Sequence, residues 1–256
     1  MKNIGITTTV PIEVLMAAGY EVKDLNNIFI TDEDYGKYID DAEKDGFPRS
    51  SCAFKKGVYG VAVKAGFKEI IGVTEGDCSN TKALEEVLRM KGVRVYPFAY
   101  PQSHRLEDVK SSLDKFMNIF NVSFEQVEKI RRRLLKIRKL IKELDELTYI
   151  ENKATAVENH IYQVSASDFN GNYKEFENDL INKIEEIKKR KPVEKKLRLG
   201  YIGTPPMTLD LYDYVEKFDA RFVYNEIQRE FAFPRAINCN SIYAVSYTHL
   251  TLPTKA

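Results

Sequence analysis

Short apolar runs alternate with helix-length stretches through the first third of this chain, and that rhythm constrains the fold more than any other feature. "NIGITTT" (residues 3–9) and "EIIGVT" (residues 69–74) are too short for buried helices and are rich in β-branched residues, as buried strands are. "EVKDL" (residues 21–25) and "VRVYPFAYP" (residues 93–101) read as further strands. Between them lie helix patterns. Pro11 suits the first turn of "PIEVLMAAG", which Gly19 can end; "TDEDYGKYIDDAEKDG" has Thr31 or Asp32 as its cap; and Phe54, Val58, Val61 and Ala65 share one face of a helix that starts near Cys52. Strands separated by helices imply a mainly parallel sheet with helices on both faces.

A different pattern then takes over. Val127, Ile130, Leu134, Ile137, Ile141 and Leu144 form an a/d seam, and Tyr173, Phe176, Leu180, Ile184 and Ile187 offer a partner face. The basic run "KIRRRLLKIRK" sits between seam positions with acidic residues beside it, so it reads as a solvated helix face and not as a nucleic-acid patch. "KPVEKK" is a polar boundary, after which "LRLGYIG", "MTLDLYDYVEKF" and "ARFVYNEI" read as strand, helix and strand. The expected fold class is therefore α/β: two Rossmann- or flavodoxin-like parallel-sheet lobes joined by a helical segment. The first lobe spans residues 1–104, the helical segment 105–192 and the start of a second lobe 193–244. That second lobe stops after two strands, and we expect it to be incomplete, its reading frame cut short. The last twelve residues, "VSYTHLTLPTKA" (245–256), resemble translated transposase-adapter sequence from shotgun assemblies, and we expect them to be a non-native tail.

With 39 basic and 38 acidic residues, the formal charge of +1 gives no argument for nucleic acid or an acidic membrane surface. The amino terminus lacks the apolar stretch of a signal peptide, and no segment is long and apolar enough to span a bilayer. A cytoplasmic protein is expected, and three cysteines do not make a disulfide framework.

Two of those cysteines occupy comparable places. In "IIGVTEGDCSNTKAL", Gly76 ends a strand and Ser79 or Asn80 can cap the helix that follows, so Cys78 falls between them. Cys52 likewise precedes a helix. The partly positive amino end of a helix favours the thiolate, which binds metal or attacks carbon. Spacing alone leaves three readings open: packed thiols, a nucleophile, or metal ligands. Of the histidines His104, His160 and His249, His104 alone lies near the first lobe's strand ends, which weakens the nucleophile. Zinc lacks evident further ligands, whereas iron–sulfur clusters take thiolates that are distant in sequence. "GTPP" (residues 203–206) follows a strand and reads as a turn.

The segments "TTTVPIEVLMAAG", "SSCAFKKGVYGVAVKAG", "GVTEGDCSNTKAL" and "VYNEIQREFAFP" resemble, in order, segments of the 2-hydroxyacyl-CoA dehydratase D-component family, which includes benzoyl-CoA reductase-like and double-cubane-cluster proteins. The resemblance covers most of residues 3–235. It implies that Cys52 and Cys78 are two thiolate ligands of a four-iron four-sulfur cluster or a double-cubane cluster, and that Thr8, Thr9 and Glu13 lie in a segment that can contact substrate. The family's third cysteine comes further into the second lobe. Cys239 falls too early for it and reads as a structural thiol. The resemblance further implies an acyl-CoA substrate, an ATP-dependent activase that supplies an electron, and a second subunit or a homodimer. No GxxxxGK[ST] motif is present, which agrees with the nucleotide being handled by a partner. The implied reaction removes water from a 2-hydroxyacyl-CoA through a ketyl radical. A benzoyl-CoA-type or double-cubane reductase and a cluster-free bilobed ligand-binding protein are the alternatives.

Overall fold

The computed structural model describes residues 2–232 and 239–250. The described chain forms two compact units, one from residues 2–131 with 240–250, the other from residues 132–232 with 239.

In the first unit the chain alternates as the sequence predicts. The elements are β1 (Lys2–Ile6), α1 (Ile12–Ala17), β2 (Tyr20–Asp24), α2 (Leu25–Thr31), α3 (Gly36–Lys44), α4 (Ala53–Lys64), β3 (Glu69–Glu75), α5 (Ser79–Met90), β4 (Arg94–Ala99) and α6 (Leu106–Ile119). The four strands are all parallel in the order β2-β1-β3-β4. Ile4, Ile6, Ile70 and Ile71 of the two central strands are fully buried, which is why those runs are β-branched and almost uninterrupted. The order reverses between β1 and β3: the chain steps outward to β2, then crosses to the other side for β3 and β4. Open parallel sheets bind ligands beyond the carboxyl ends of the strands at such a reversal. Among the described residues β4 pairs with β3 alone and carries Pro97.

One expectation is refined. Residues 25–31 form a helix of their own, because the Asp24 side chain accepts a hydrogen bond from the Asn26 N–H and starts α2 directly after β2. Leu25 and Phe29 are then buried on the face toward α4. α4 meets both α3 and α2 closely: a Cβ on Gly60 would overlap the Tyr38 carbonyl oxygen of α3, and one on Gly57 would overlap the Phe29 ring of α2.

The helix α7 (Phe124–Tyr149) contributes its first residues to the first unit and the rest to the second. Its predicted seam is buried at Val127, Leu134, Ile137, Ile141 and Leu144, while Ile130 is half-buried. The second unit continues with α8 (Ala156–Val164), two short 3-10 turns, α9 (Tyr173–Lys188), β5 (Leu197–Tyr201), α10 (Asp210–Glu216), β6 (Ala220–Asn225) and α11 (Glu226–Ala232). Arg133 pairs with Glu177 and Lys188 with Glu143, so partner numbers rise together and α7 and α9 run in the same direction. β5 and β6 form a two-stranded parallel sheet.

The last helix, α12 (Ile242–Leu250), belongs to the first unit. Ile242, Val245 and Ser246 are buried there, the Tyr243 hydroxyl donates to Asp114 of α6, and its ring stacks on Phe124. The segment set aside as a tail thus lends its first six residues to a packed helix. No helix among the described residues is long and apolar enough to cross a membrane.

Candidate functional site

The strand-to-helix junctions of the first unit put its chemistry at one end of the sheet. α4 leads into β3 and α5 leads out of it, so in a parallel sheet the amino ends of both helices lie on the side of the carboxyl strand ends. Cys52 is the N-cap of α4 and Cys78 the N-cap of α5; both are exposed, and neither thiol caps its helix by a hydrogen bond. The Cys78 sulfur lies 3.8 Å from the Thr81 hydroxyl.

The approach to Cys78 is shaped by the backbone. The β3–β4 register shifts between Val73 and Glu75, a bulge that turns the strand end away from its ladder. Gly76 follows with φ +94°, and a Cβ there would press within 3.0 Å of the Tyr100 side chain, so glycine alone suits the position. Asp77 then replaces the expected Ser79 or Asn80 as the group that starts α5. Its carboxylate accepts from the Cys78 N–H at 2.7 Å and from the Thr81 hydroxyl at 2.7 Å.

Asp77 also links the two cysteine segments. It receives the ammonium of Lys55, in the first turn of α4, at 3.0 Å. The neighbouring Lys56 bonds Glu43 at 2.6 Å and the Arg49 carbonyl at 3.1 Å, which fastens the loop before Cys52 to α3. A cleft of about 570 Å³ opens beside Cys52, with Phe47, Pro48, Lys55, Asn80 and Lys91 in its walls.

The third predicted cluster of residues follows β1. Thr7 bonds the Ile71 carbonyl through both N–H and hydroxyl at 3.3 Å, which ties the loop to β3 at the point of reversal. Thr8 is half-buried and Thr9 is buried, with the Thr9 carbonyl accepting from the Tyr100 hydroxyl at 3.0 Å. Glu13 is buried in the first turn of α1, where a carboxylate suits the helix dipole. Burial, with a smaller contribution from Glu13, pushes the Tyr100 phenol well above its ordinary value.

Lys55, Asp77 and Tyr100 were not singled out by the sequence reading. Their signal is faint, because the Lys55–Asp77 contact spans 22 residues of chain and the Tyr100–Thr9 contact 91.

His104 and Cys239 stand differently. His104 adopts a left-handed backbone conformation just after β4. Cys239 is half-buried and falls in the second unit. His249 lies in α12, where its side chain is outside the described residues. Among the described residues, no group of three or more Cys, His, Asp or Glu side chains is arranged to hold a metal ion. Two exposed thiols beside two helix starts do fit part of a ligand set for a thiolate-bound cluster.

Residues 7–241 match the sequence model of a family described as 2-hydroxyglutaryl-CoA dehydratase, D-component. No curated protein matches the chain.

Proposed function

The chain belongs to the 2-hydroxyglutaryl-CoA dehydratase D-component family, and on that premise we propose that it is the iron–sulfur subunit of a 2-hydroxyacyl-CoA dehydratase. The family is that of a dehydratase component, so the broad class is a lyase that removes water. In our reading Cys52 and Cys78 are two thiolate ligands of a four-iron four-sulfur or double-cubane cluster. The observation that carries it is the pair of exposed sulfurs at two helix starts on one sheet end, with Lys55 and Asp77 bonded between their segments.

A cluster held by fewer protein thiolates than it has irons supplies electron transfer and an open iron with Lewis-acid character. The reaction needs such help, because the β-hydrogen of a 2-hydroxyacyl thioester is scarcely acidic. One electron from an ATP-dependent activase makes the thioester carbonyl a ketyl radical and expels hydroxide from the α carbon. The β-proton is then acidic enough to leave, and the electron returns, so water is lost with no net oxidation or reduction.

The chain's own residues have narrower tasks. The Thr8 and Thr9 hydroxyls and the Glu13 carboxylate, beyond the end of β1, would hold and orient the acyl-CoA near the thiols. The bulge and Gly76 direct the Cys78 segment out of the sheet. A second subunit, or a second copy of the chain, would complete the enzyme.

The test is anaerobic reconstitution followed by iron and sulfide analysis and EPR of the reduced protein. Cys52→Ala and Cys78→Ala should each lower iron content to less than half of the parent's and abolish the cluster signal. Full clusters in both variants would remove the assignment. Product analysis with an activase separates dehydration from reduction, since the latter consumes electrons stoichiometrically. A parent protein that holds neither iron nor sulfide would favour a cluster-free ligand-binding role.

A further inference from the structure

We infer that the Lys55–Asp77 ion pair is a positioning device that sets the distance between the Cys52 and Cys78 thiols. The inference rests on the reading of those thiols as ligands of one cluster. Three features of the first unit lead to it.

The first is the unfavourable place of the lysines. Lys55 and Lys56 occupy the opening turn of α4, where free N–H groups and the helix dipole already present positive charge, and that turn contains no acid. Both are buried nonetheless, at 8% and 3% exposure. Buried ammonium groups at a positive helix end need specific anionic partners. Each lysine has one, and the two partners lie in different directions. Lys56 turns to Glu43 and the Arg49 carbonyl, on the loop that delivers Cys52. Lys55 turns to Asp77, on the loop that delivers Cys78.

The second feature is the valence of Asp77. One carboxylate oxygen receives the Cys78 N–H, and the other receives both the Thr81 hydroxyl and Lys55. The carboxylate thus fixes the first turn of α5 and is itself held by α4. Any change in the Lys55–Asp77 contact is passed to the residue directly before Cys78.

The third is the freedom of the sulfurs. Both thiols are exposed and neither caps its helix; the Cys78 sulfur has the Thr81 hydroxyl at 3.8 Å, a weak contact that moves with the same helix start. Their separation is set instead by the two helix starts, which this pair joins.

Groups that orient ligands typically change metal affinity by about 10–100-fold when removed. The experiment uses the full chain, free of metal and in a Cys239→Ser background, so that two thiols remain. The probes are cadmium ion, read by thiolate charge-transfer absorbance, and a methylene-bridged bis-methanethiosulfonate, read by the yield of intramolecular crosslink. Both report thiol spacing without iron, sulfide or turnover. Removing both charges, Lys55→Met with Asp77→Asn, should weaken cadmium binding at least about tenfold and lower the crosslink yield, with thermal unfolding little changed. Lys55→Arg, which keeps a cation facing Asp77, should hold both readouts near the parent's. A double variant that binds cadmium and crosslinks like the parent would overturn the positioning role and leave the ligand assignment standing. A parent that neither crosslinks nor binds cadmium through both thiols would overturn the ligand assignment, and this inference with it. If the double variant unfolds, Lys55→Gln alone becomes the deciding form, since it breaks the ion pair and leaves the Asp77 bonds to Cys78 and Thr81 in place. A several-fold loss of cadmium affinity at an unchanged melting temperature supports the role, and no loss overturns it.

Discussion

His160 is buried in the second unit with its Nδ1 at 3.0 Å from the Tyr212 hydroxyl and 3.1 Å from the Gln228 amide. Tyr212 donates on to Asn225, Asn225 to Asn159, and Asn159 to Asp145, which Arg229 pairs at 2.9 Å. Burial holds the His160 imidazole down to about 4. Above pH ~6.5 both folded and unfolded chains carry it neutral. Between about 6.5 and 4 the unfolded chain binds a proton that the folded chain refuses, so stability falls as the pH drops through that window. The loss by pH 5 should be about 2 kcal/mol. Burial raises Asp145, which works in the opposite direction at lower pH. Urea unfolding at pH 7 and pH 5 should therefore show a smaller acid loss in His160→Gln than in the parent, and equal losses would count against the buried neutral imidazole. This network could not be read from the sequence, since its members are spread from residue 145 to residue 229 and none sits in a recognisable motif. The same holds for Lys55 and Lys56, which look like ordinary charged helix residues until Asp77 and Glu43 arrive beside them. The places of Cys52 and Cys78 at helix starts were legible, because a loop before α4 and a strand end before α5 bracket them locally.

α4 is where packing is least forgiving. Gly60 has a Tyr38 backbone oxygen where a Cβ would go, so a methyl group there cannot be relieved by rotating a side chain. Gly60→Ala should force α3 and α4 apart and destabilise the first unit by about 1–3 kcal/mol despite alanine's better helix propensity. Chemical unfolding followed by circular dichroism measures this, and a stabilised variant would contradict the close helix contact. Helices of this kind were visible from their apolar spacing, yet α2 was hidden. Its sequence "LNNIFIT" carries β-branched residues and weak helix formers, and the burial of Leu25 and Phe29 overrides that preference. The cap at Asp24 was equally hard to see, because the residue also ends β2.

Across the whole molecule, the α/β class and the parallel sheets were legible from the alternation of patterns, while the grouping of elements was not. α12 follows the second unit's elements in sequence and still packs with the first, where the Ile242 N–H bonds Glu128 at 2.6 Å and Arg131 reaches the Asn240 carbonyl at 3.2 Å. Ile242 is 1% exposed, so Ile242→Ala should cost about 2–4 kcal/mol in the first unit, measured by thermal unfolding. A negligible change would show that the start of α12 adds little to the first unit's stability. The reversal between β1 and β3 has a consequence in time as well as in space. β1 can pair with β2 almost as soon as both are made, since Lys2 meets Tyr20, but on its other edge Gly5 must wait for Ile70. At roughly 5–20 residues per second, a ribosome needs several seconds to synthesise that interval. For those seconds a nascent chain holds a strand with one backbone edge unpaired, and Cys52 emerges before the strand that completes its side of the sheet.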